Sequence, residues 1–323
     1  MKITVCVPTV RPDSLGHTVT AIRRQTWQDW QLVVVGQGAD EAALRDATMQ
    51  AAGGDPRVRY HHIAERGLSR ARNAGMEMAD GDVVAFTDDD CEPAADWLEV
   101  IADALLQDDG VGLVAGAVLA PRDSRGGWLT TCPTNEPLEV RYDPRSSGGA
   151  RPEGWDWIGA NFALRRQVID VVGPFDVRLG AGAGFPSGED TDYKFRLERL
   201  GVVMLTTPRA VVHHTYGERS GLRAGFAHSR NYARGNAAMA AKLTLQGDPR
   251  GRAWWKESVW GTAETRRRDV LPHRVPVALV RRWHFVRAYR EVLRTFRAEP
   301  GGLLQQVPQP RPDEATTMTG AGA

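Results

Sequence analysis

Asp88 and Asp90 follow the apolar run Val83-Val84-Ala85-Phe86, and their spacing is the clearest chemical signal in the chain. Side chains at i and i+2 of an extended segment point to one side, so the two carboxylates can share a hard cation while Asp89 faces elsewhere. Oxygen donors suit Mg2+ or Mn2+, ions that usually bind through one or two carboxylates together with the phosphates of a ligand. An acidic loop of solvated charges is the bland alternative. A second acidic group, Glu189, Asp190 and Asp192, opens a segment in which Tyr193, Leu197 and Leu200 form one apolar stripe before Gly201. Acids in a first helical turn are stabilised by the helix dipole, which accounts for all three without any chemistry. Arg70 and Arg72 lie two apart near a helix start and leave it on different azimuths, so one of them at most faces a phosphate site. His213 and His214 follow the strand-like Ala210-Val211-Val212; adjacent strand residues point oppositely, so at most one can reach a shared ligand.

The elements that must position these groups alternate. Ile3 to Val7 reads as a strand, and Ser14 as a helix cap before Leu15, Val19 and Ile22; Gln31 to Val35 reads as a second strand. Glu41 to Ala52 is helical in composition, and Val58, Tyr60 and His62 alternate as a strand would. Ser69 to Ala79 is a further helix, stopped near Asp80-Gly81, and Val83 to Thr87 is the strand that carries the aspartates. Strands alternating with helices predict an α/β fold with a mostly parallel sheet flanked by helices and right-handed crossovers. Ligands bind beyond the carboxyl ends of such strands. Pro8-Thr9, Gly36-Gln37 and Asp88 to Asp90 all fall at such ends and converge on one crevice.

Composition narrows the class. At 323 residues, 42% hydrophobic and 25% charged, the chain can build one large domain and a smaller appendage. A net charge of +1 argues against a general nucleic-acid role. Cys6, Cys91 and Cys132 are odd in number and widely spaced, which fits neither a disulfide framework nor a zinc site and suits a reducing compartment. Met1-Lys2 runs directly into an alternating segment unlike a signal peptide, and no apolar stretch reaches the roughly 18 residues of a membrane span. A soluble or peripheral cytoplasmic protein is expected.

Taken in order, the motifs resemble family 2 glycosyltransferases of the GT-A fold. They are Val7-Pro8-Thr9 with Arg11-Pro12, Gln25-Thr26-Trp27, Arg66 to Gly75, Phe86 to Asp90, Gly159 to Arg166, Gly173-Pro174-Phe175-Asp176 and Gly188-Glu189-Asp190, ending near His213. The resemblance covers about the first two thirds of the chain. It implies metal-dependent transfer of a sugar from a nucleotide diphosphate donor to a hydroxyl acceptor, normally with inversion. It further implies cell-surface glycan or secondary-metabolite biosynthesis, with a lipid-linked glycan or a small metabolite as acceptor. Residue by residue, it places Asp88 and Asp90, with His213, on Mn2+ or Mg2+. Pro8, Thr9, Arg11, Gln37, Arg72 and Asp88 would meet the donor nucleotide, and Gly159, Asn161 and Trp157 the sugar or acceptor. Glu189 and Asp190 form the catalytic pair, with Asp190 the base that deprotonates the acceptor. Many relatives carry an acidic pair after the second strand, where this chain has Gly36-Gln37-Gly38-Ala39-Asp40. A Gln amide can read a pyrimidine imide or another base, so the donor leans only to UDP.

Residues 1–220 are expected to form the catalytic domain, with a nucleotide half to about 118 and an acceptor half over about 119–220, and residues 221–300 a C-terminal basic helical extension. Trp128, Trp155 and Trp157 flank a Gly- and Pro-rich stretch read as loop, where aromatic faces could stack on an acceptor or anchor packing. Leu179 to Ser187, rich in glycine, reads as a mobile loop that orders with substrate. Beyond Thr215, Leu222 to Leu245 reads as a helix. From Val275, Leu279, Trp283, Val286, Leu293 and Phe296 alternate with arginines in a basic amphipathic helix that either packs on the domain or touches an anionic membrane from the cytoplasmic side. Residues 301–323 are expected to be a disordered tail. The sequence leaves oligomeric state open. Two readings compete: a sugar-1-phosphate nucleotidyltransferase, for which Thr9-Val10-Arg11-Pro12 is too short and poor in glycine, and a non-catalytic nucleotide-sugar-binding protein, which would not need both acidic motifs.

Overall fold

Seven consecutive buried residues, Ile3–Thr9, form the first strand (β1), and buried side chains on both faces mark it as the centre of a covered sheet. The computed structural model describes residues 1–121, 134–215, 222–260 and 275–307. They fall into two units, Met1–Asn236 and Ala237–Ala323, with the boundary inside one helix.

In the first unit, β1 is followed by α1 (Pro12–Arg23), β2 (Trp30–Gln37), α2 (Glu41–Ala52), β3 (Val58–Ile63), α3 (Leu68–Met78) and β4 (Val83–Thr87). These strands lie in the order β3-β2-β1-β4 and are parallel throughout, as the alternation predicts. The remainder turns the sheet mixed. After β5 (Cys91–Pro93), α4 (Trp97–Gln107), β6 (Val111–Leu119) and β7 (Val140–Tyr142), β8 (Asn161–Arg165) runs antiparallel between β4 and β6. Then come α5 (Arg166–Val172), α6 (Glu189–Leu200) and β9 (Val203–His214), which pairs with β6, β7 and β5.

Alternation along the strands splits the core into two layers. Val83 and Ala85 of β4 join Leu15, Val19, Trp97 and Ile101 on one face. Val84 and Phe86 join Phe162, Phe175, Tyr193 and Trp157 on the other. Phe86 stacks on Phe162 at 4.7 Å and Phe175 on Tyr193 at 4.1 Å, so the aromatic layer ties β4 to α6 and hence the first acidic motif to the second.

One expected cap is corrected. Helix α1 begins at Pro12, with Arg11 in the cap position and no side-chain cap bond. A proline at the first helical position needs no N–H partner and presets φ, so Ser14 falls within the first turn, buried, rather than ahead of it.

Helix α7 (Leu222–Leu245) runs into the second unit, which continues with α8 (Pro249–Trp260), α9 (Val275–Thr295) and a hairpin of β10 (Phe296–Ala298) and β11 (Leu304–Gln306). The expected tail from 301 therefore opens with a strand, and residues 308–323 lie outside the described residues. The buried face of α9 also differs from the expected one: Ala278, Phe285, Ala288 and Val292 are at most 4% exposed, whereas Leu279 and Trp283 are more than half exposed. The 3.6-residue period is right, but two apolar stripes share the helix and sequence alone did not rank them.

Candidate active site

The strand β4 ends at Thr87 and delivers Asp88 to Asp90 at the carboxyl edge of the sheet. Directly after Asp90 the chain pairs with β9, with Cys91 opposite His214 and Glu92 opposite His213. That register selects the histidine. The ligand atoms of Asp88, Asp90, Cys91 and His214 lie within 4.8 Å of one another, and His214 Nε2 is 3.2 Å from Asp90 Oδ1. His214, not the expected His213, is the histidine that could share an ion with the aspartates, because neighbouring strand residues face opposite ways and β5 fixes which one faces them. Burial pushes the Cys91 thiol well above its usual range, and sulfur is a soft donor beside hard carboxylates. Two carboxylates and an imidazole remain, an oxygen-rich donor set that fits Mn2+ or Mg2+.

The carboxylates have divergent electrostatics. Burial pushes Asp88 up to about 6, with Arg72 opposing the effect and the Asp90 charge adding to it, although 29% of its side-chain surface reaches solvent. For Asp90, burial also acts upward, but the His214 hydrogen bond and the charges of His214 and Arg11 outweigh it and hold the group at about 2. Arg11 Nη2 lies 2.9 Å from Asp90 Oδ2 and also pairs with Asp89. Asp89 points back toward β1, as its intermediate position in the triplet requires, and accepts from Thr9 Oγ1 at 2.7 Å. Thr9 and Arg11, expected on the nucleotide, here brace the aspartate loop; Pro8 is buried within β1.

Arg72 is the hub between the acidic motifs. Its side chain is 1% exposed, with Nη2 3.5 Å from Asp88 Oδ1 and donating to the Gly159 carbonyl at 2.8 Å, and Nη1 donating to Glu189 Oε1 at 3.1 Å. Arg70 instead points outward to Glu65 at 2.9 Å, so the two azimuths part as the spacing predicts. Gly159 N–H donates to Asp190 Oδ2 at 3.0 Å, and Thr191 N–H to Asp190 Oδ1 at 2.6 Å. A Cβ at Gly159 would lie 2.9 Å from Arg72 Nη2, so any larger residue there must displace a guanidinium held by Gly159 and Glu189. Glu189 is buried, and that burial, with the Asp190 charge, pushes it up to about 7 despite Arg72. Asp190, by contrast, is only half-buried.

Gln37 closes the far side. Its Oε1 accepts from Gly67 N–H at 2.7 Å, and the next amide, Leu68 N–H, donates to Ala181 O at 2.8 Å. Ser69 Oγ donates to Leu179 O at 2.7 Å. The loop 179–187, expected to wait for substrate, is thus held by the turn before α3, and on its other side Arg234 of α7 donates to Gly184 O at 3.1 Å.

Two expected sugar contacts are corrected. Asn161 is buried, accepts from Trp97 Nε1 and donates to the carbonyls of Ala117 and Ala210, each at 2.8 Å, so its amide is consumed in joining α4, β6 and β9. Trp157 is 1% exposed and packed on Phe162 at 4.9 Å, which leaves no face for a ligand. Trp155 is buried as well, and Trp128 lies outside the described residues. What sequence reading missed are His214, Cys91 and the Arg72–Gly159–Asp190 link; the adjacent His pair was the signal for the first, and only strand register resolves it.

The pattern of glycosyl transferase family 2 matches residues 4–173, more than half the chain. The chain belongs to that family. Among curated relatives of this glycosyltransferase family 2 chain, a glucosyl-dolichyl phosphate glucuronosyltransferase of Haloferax volcanii is 31% identical over 188 residues, covering 56% of this chain and 58% of the relative. The chain spans about half the length of the curated relatives it matches. The fold agrees with a mannosyltransferase of Pyrobaculum calidifontis solved with GDP-Man and Mn2+ (TM-score 0.57, 18% identity, covering 90% of this chain and 86% of that one). It agrees equally with residues 1–349 of S. aureus TarS solved with UDP-GlcNAc (TM-score 0.58, 15% identity, covering 95% and 97%). These likenesses establish the GT-A fold for the family 2 chain.

Proposed function

We propose that this chain is a metal-dependent, inverting glycosyltransferase that moves a sugar from a nucleoside diphosphate, with UDP favoured, to the hydroxyl of a lipid-linked saccharide in cell-surface glycan assembly. The observation that supports the reading is the continuous network from Asp88 through Arg72 and Gly159 to Asp190, which joins the two acidic motifs. Asp88, Asp90 and His214 would hold the cation, which when bound supplies positive charge where the departing diphosphate needs it.

Asp190 is the base. Its carboxylate is oriented by the Gly159 and Thr191 amides, and one oxygen lone pair is left to accept the acceptor proton as the hydroxyl oxygen attacks the anomeric carbon. Glu189, turned into the protein and paired with Arg72, supports the base and does not attack the sugar, which favours single displacement over a covalent glycosyl-enzyme. Gln37 lies at the end of β2, where a donor base would be read, and its Oε1 is already engaged by Gly67. That leaves its amide N–H groups to meet a carbonyl, as a pyrimidine offers. The lipid-linked acceptor follows the Haloferax relative, whose name includes a dolichyl phosphate.

The test is release of nucleoside diphosphate from UDP-, GDP- and TDP-sugars with Mn2+, Mg2+ or chelator, in wild type and Asp90→Ala. Metal-dependent turnover of one donor that is lost in the variant supports the proposal. Turnover that survives chelation and the substitution overturns it, and pyrophosphate as product would assign a nucleotidyltransferase.

A further inference from the structure

Helix α9 has two faces, and its own unit uses one of them. Ala278, Phe285, Ala288 and Val292 are buried, and Tyr289 beside them stacks on Phe285, meets Trp255 of α8 and shares a hydroxyl bond with Thr244 of α7 at 3.0 Å. At 3.6 residues per turn, Leu279, Trp283, Arg287, Arg290 and Arg294 fall on the opposite side. Leu279 is 59% exposed and Trp283 55%, large apolar surfaces where the helix has no fold-forming need of them. The Arg287 guanidinium lies 5.3 Å from the centre of the Trp283 ring. Trp283, Val286, Arg287, Arg290, Glu291 and Arg294 line an open cavity of about 550 Å³, with three cations to one acid.

We infer that this face docks on an anionic lipid bilayer. The N-terminal half offers apolar side chains and a tryptophan suited to the headgroup boundary, and the C-terminal half offers guanidinium groups for lipid phosphates; a bilayer of anionic lipid satisfies both at once. A nucleic-acid backbone would match the arginines but leave Leu279 and Trp283 without a counterpart, and the chain's net charge of +1 supplies no general attraction to one. No helix among the described residues is long and apolar enough to cross a membrane, so the contact lies along the surface. Each arginine near an anionic surface contributes about fivefold in partitioning, an effect that salt screens, while the apolar part is not screened. The inference stands apart from the transferase reading and needs no substrate.

The full-length chain is sedimented with phosphatidylcholine vesicles, with and without phosphatidylglycerol, at low and physiological salt. Binding should require phosphatidylglycerol and weaken with salt. Replacing Arg287, Arg290 and Arg294 together by Gln should lower it about a hundredfold, Trp283→Ser should lower it at both salt concentrations, and Arg290→Lys should retain it. All these positions face outward, and unchanged melting temperatures confirm that the variants are folded. Failure to sediment with anionic vesicles overturns the inference, as does sedimentation unchanged in the triple variant. A concentration-dependent dimer that Trp283→Ser dissolves, without vesicle binding, assigns the face to a second copy of the chain instead.

Discussion

Arg72 and Asp190 are joined through one residue: Arg72 donates to the carbonyl of Gly159, and the N–H of Gly159 donates to Asp190. A methyl group at position 159 would press on the Arg72 guanidinium from 2.9 Å, and that group is already committed to Glu189 and faces Asp88. Gly159→Ala should therefore misplace the base and lower kcat/KM by about a hundredfold, with only a small fall in melting temperature. A variant with the wild-type rate would show that the link is not used.

Loss of the base should be felt in chemistry rather than in donor binding. Asp190→Asn keeps the shape and the Gly159 contact but cannot take a proton, so kcat should fall by about 10²- to 10⁴-fold while calorimetric donor affinity is unchanged. Weakened donor binding in proportion to the lost rate would assign Asp190 to the donor instead.

The two histidines give an internal comparison. His214→Ala should weaken Mn2+ binding by about tenfold or more, and His213→Ala should leave it within about twofold, because only His214 shares the cluster with Asp88 and Asp90. Direct titration of the metal in each variant decides between them; the reverse order would restore His213.

The pH dependence of stability has a defined sign. The folded-state pKa of Glu189, about 7, lies above the usual 4.5, so the stabilising protonated form is complete below about pH 4.5 and its contribution is lost as pH rises through about 7. Gln resembles the protonated side chain. In chelator, Glu189→Gln and wild type should melt at nearly the same temperature at pH 5, and the variant should be the more stable at pH 8. Parallel profiles across that range would rule out the raised pKa.

Asn161 should behave as a structural residue. Asn161→Ala leaves the Trp97 indole N–H and the carbonyls of Ala117 and Ala210 without their partner, at about 1 kcal/mol or more for each. A loss of about 3 kcal/mol in denaturant unfolding is expected. Wild-type stability with weakened donor binding would return Asn161 to the ligand.

Much of this was legible in the chain. The parallel half of the sheet followed from strand and helix periods, and α2, β4 and α7 begin and end where composition and breakers place them. Asp88, Asp90, Arg72 and Asp190 lie at or near the end of β4 and the first turns of α3 and α6, boundaries that periodicity and breakers mark in the sequence. What stayed hidden depended on pairing between distant segments. Three residues of β5 choose His214 over His213, and Asn161 is spent on three partners that lie 44 to 64 positions away. Sequence also could not show that Trp157 is enclosed, since a tryptophan near glycines reads alike as anchor or platform.

The turn at Gly67-Leu68 receives the side chain of Gln37 on one amide and the loop at Ala181 through the next. The end of β2 and the loop 179–187 therefore share a mechanical joint two residues wide. A substitution at Gln37 disturbs the turn that holds the loop leading into Asp190, and compensating changes near 179–187 should accompany it. Two segments more than a hundred positions apart in sequence are poorly placed to change one at a time.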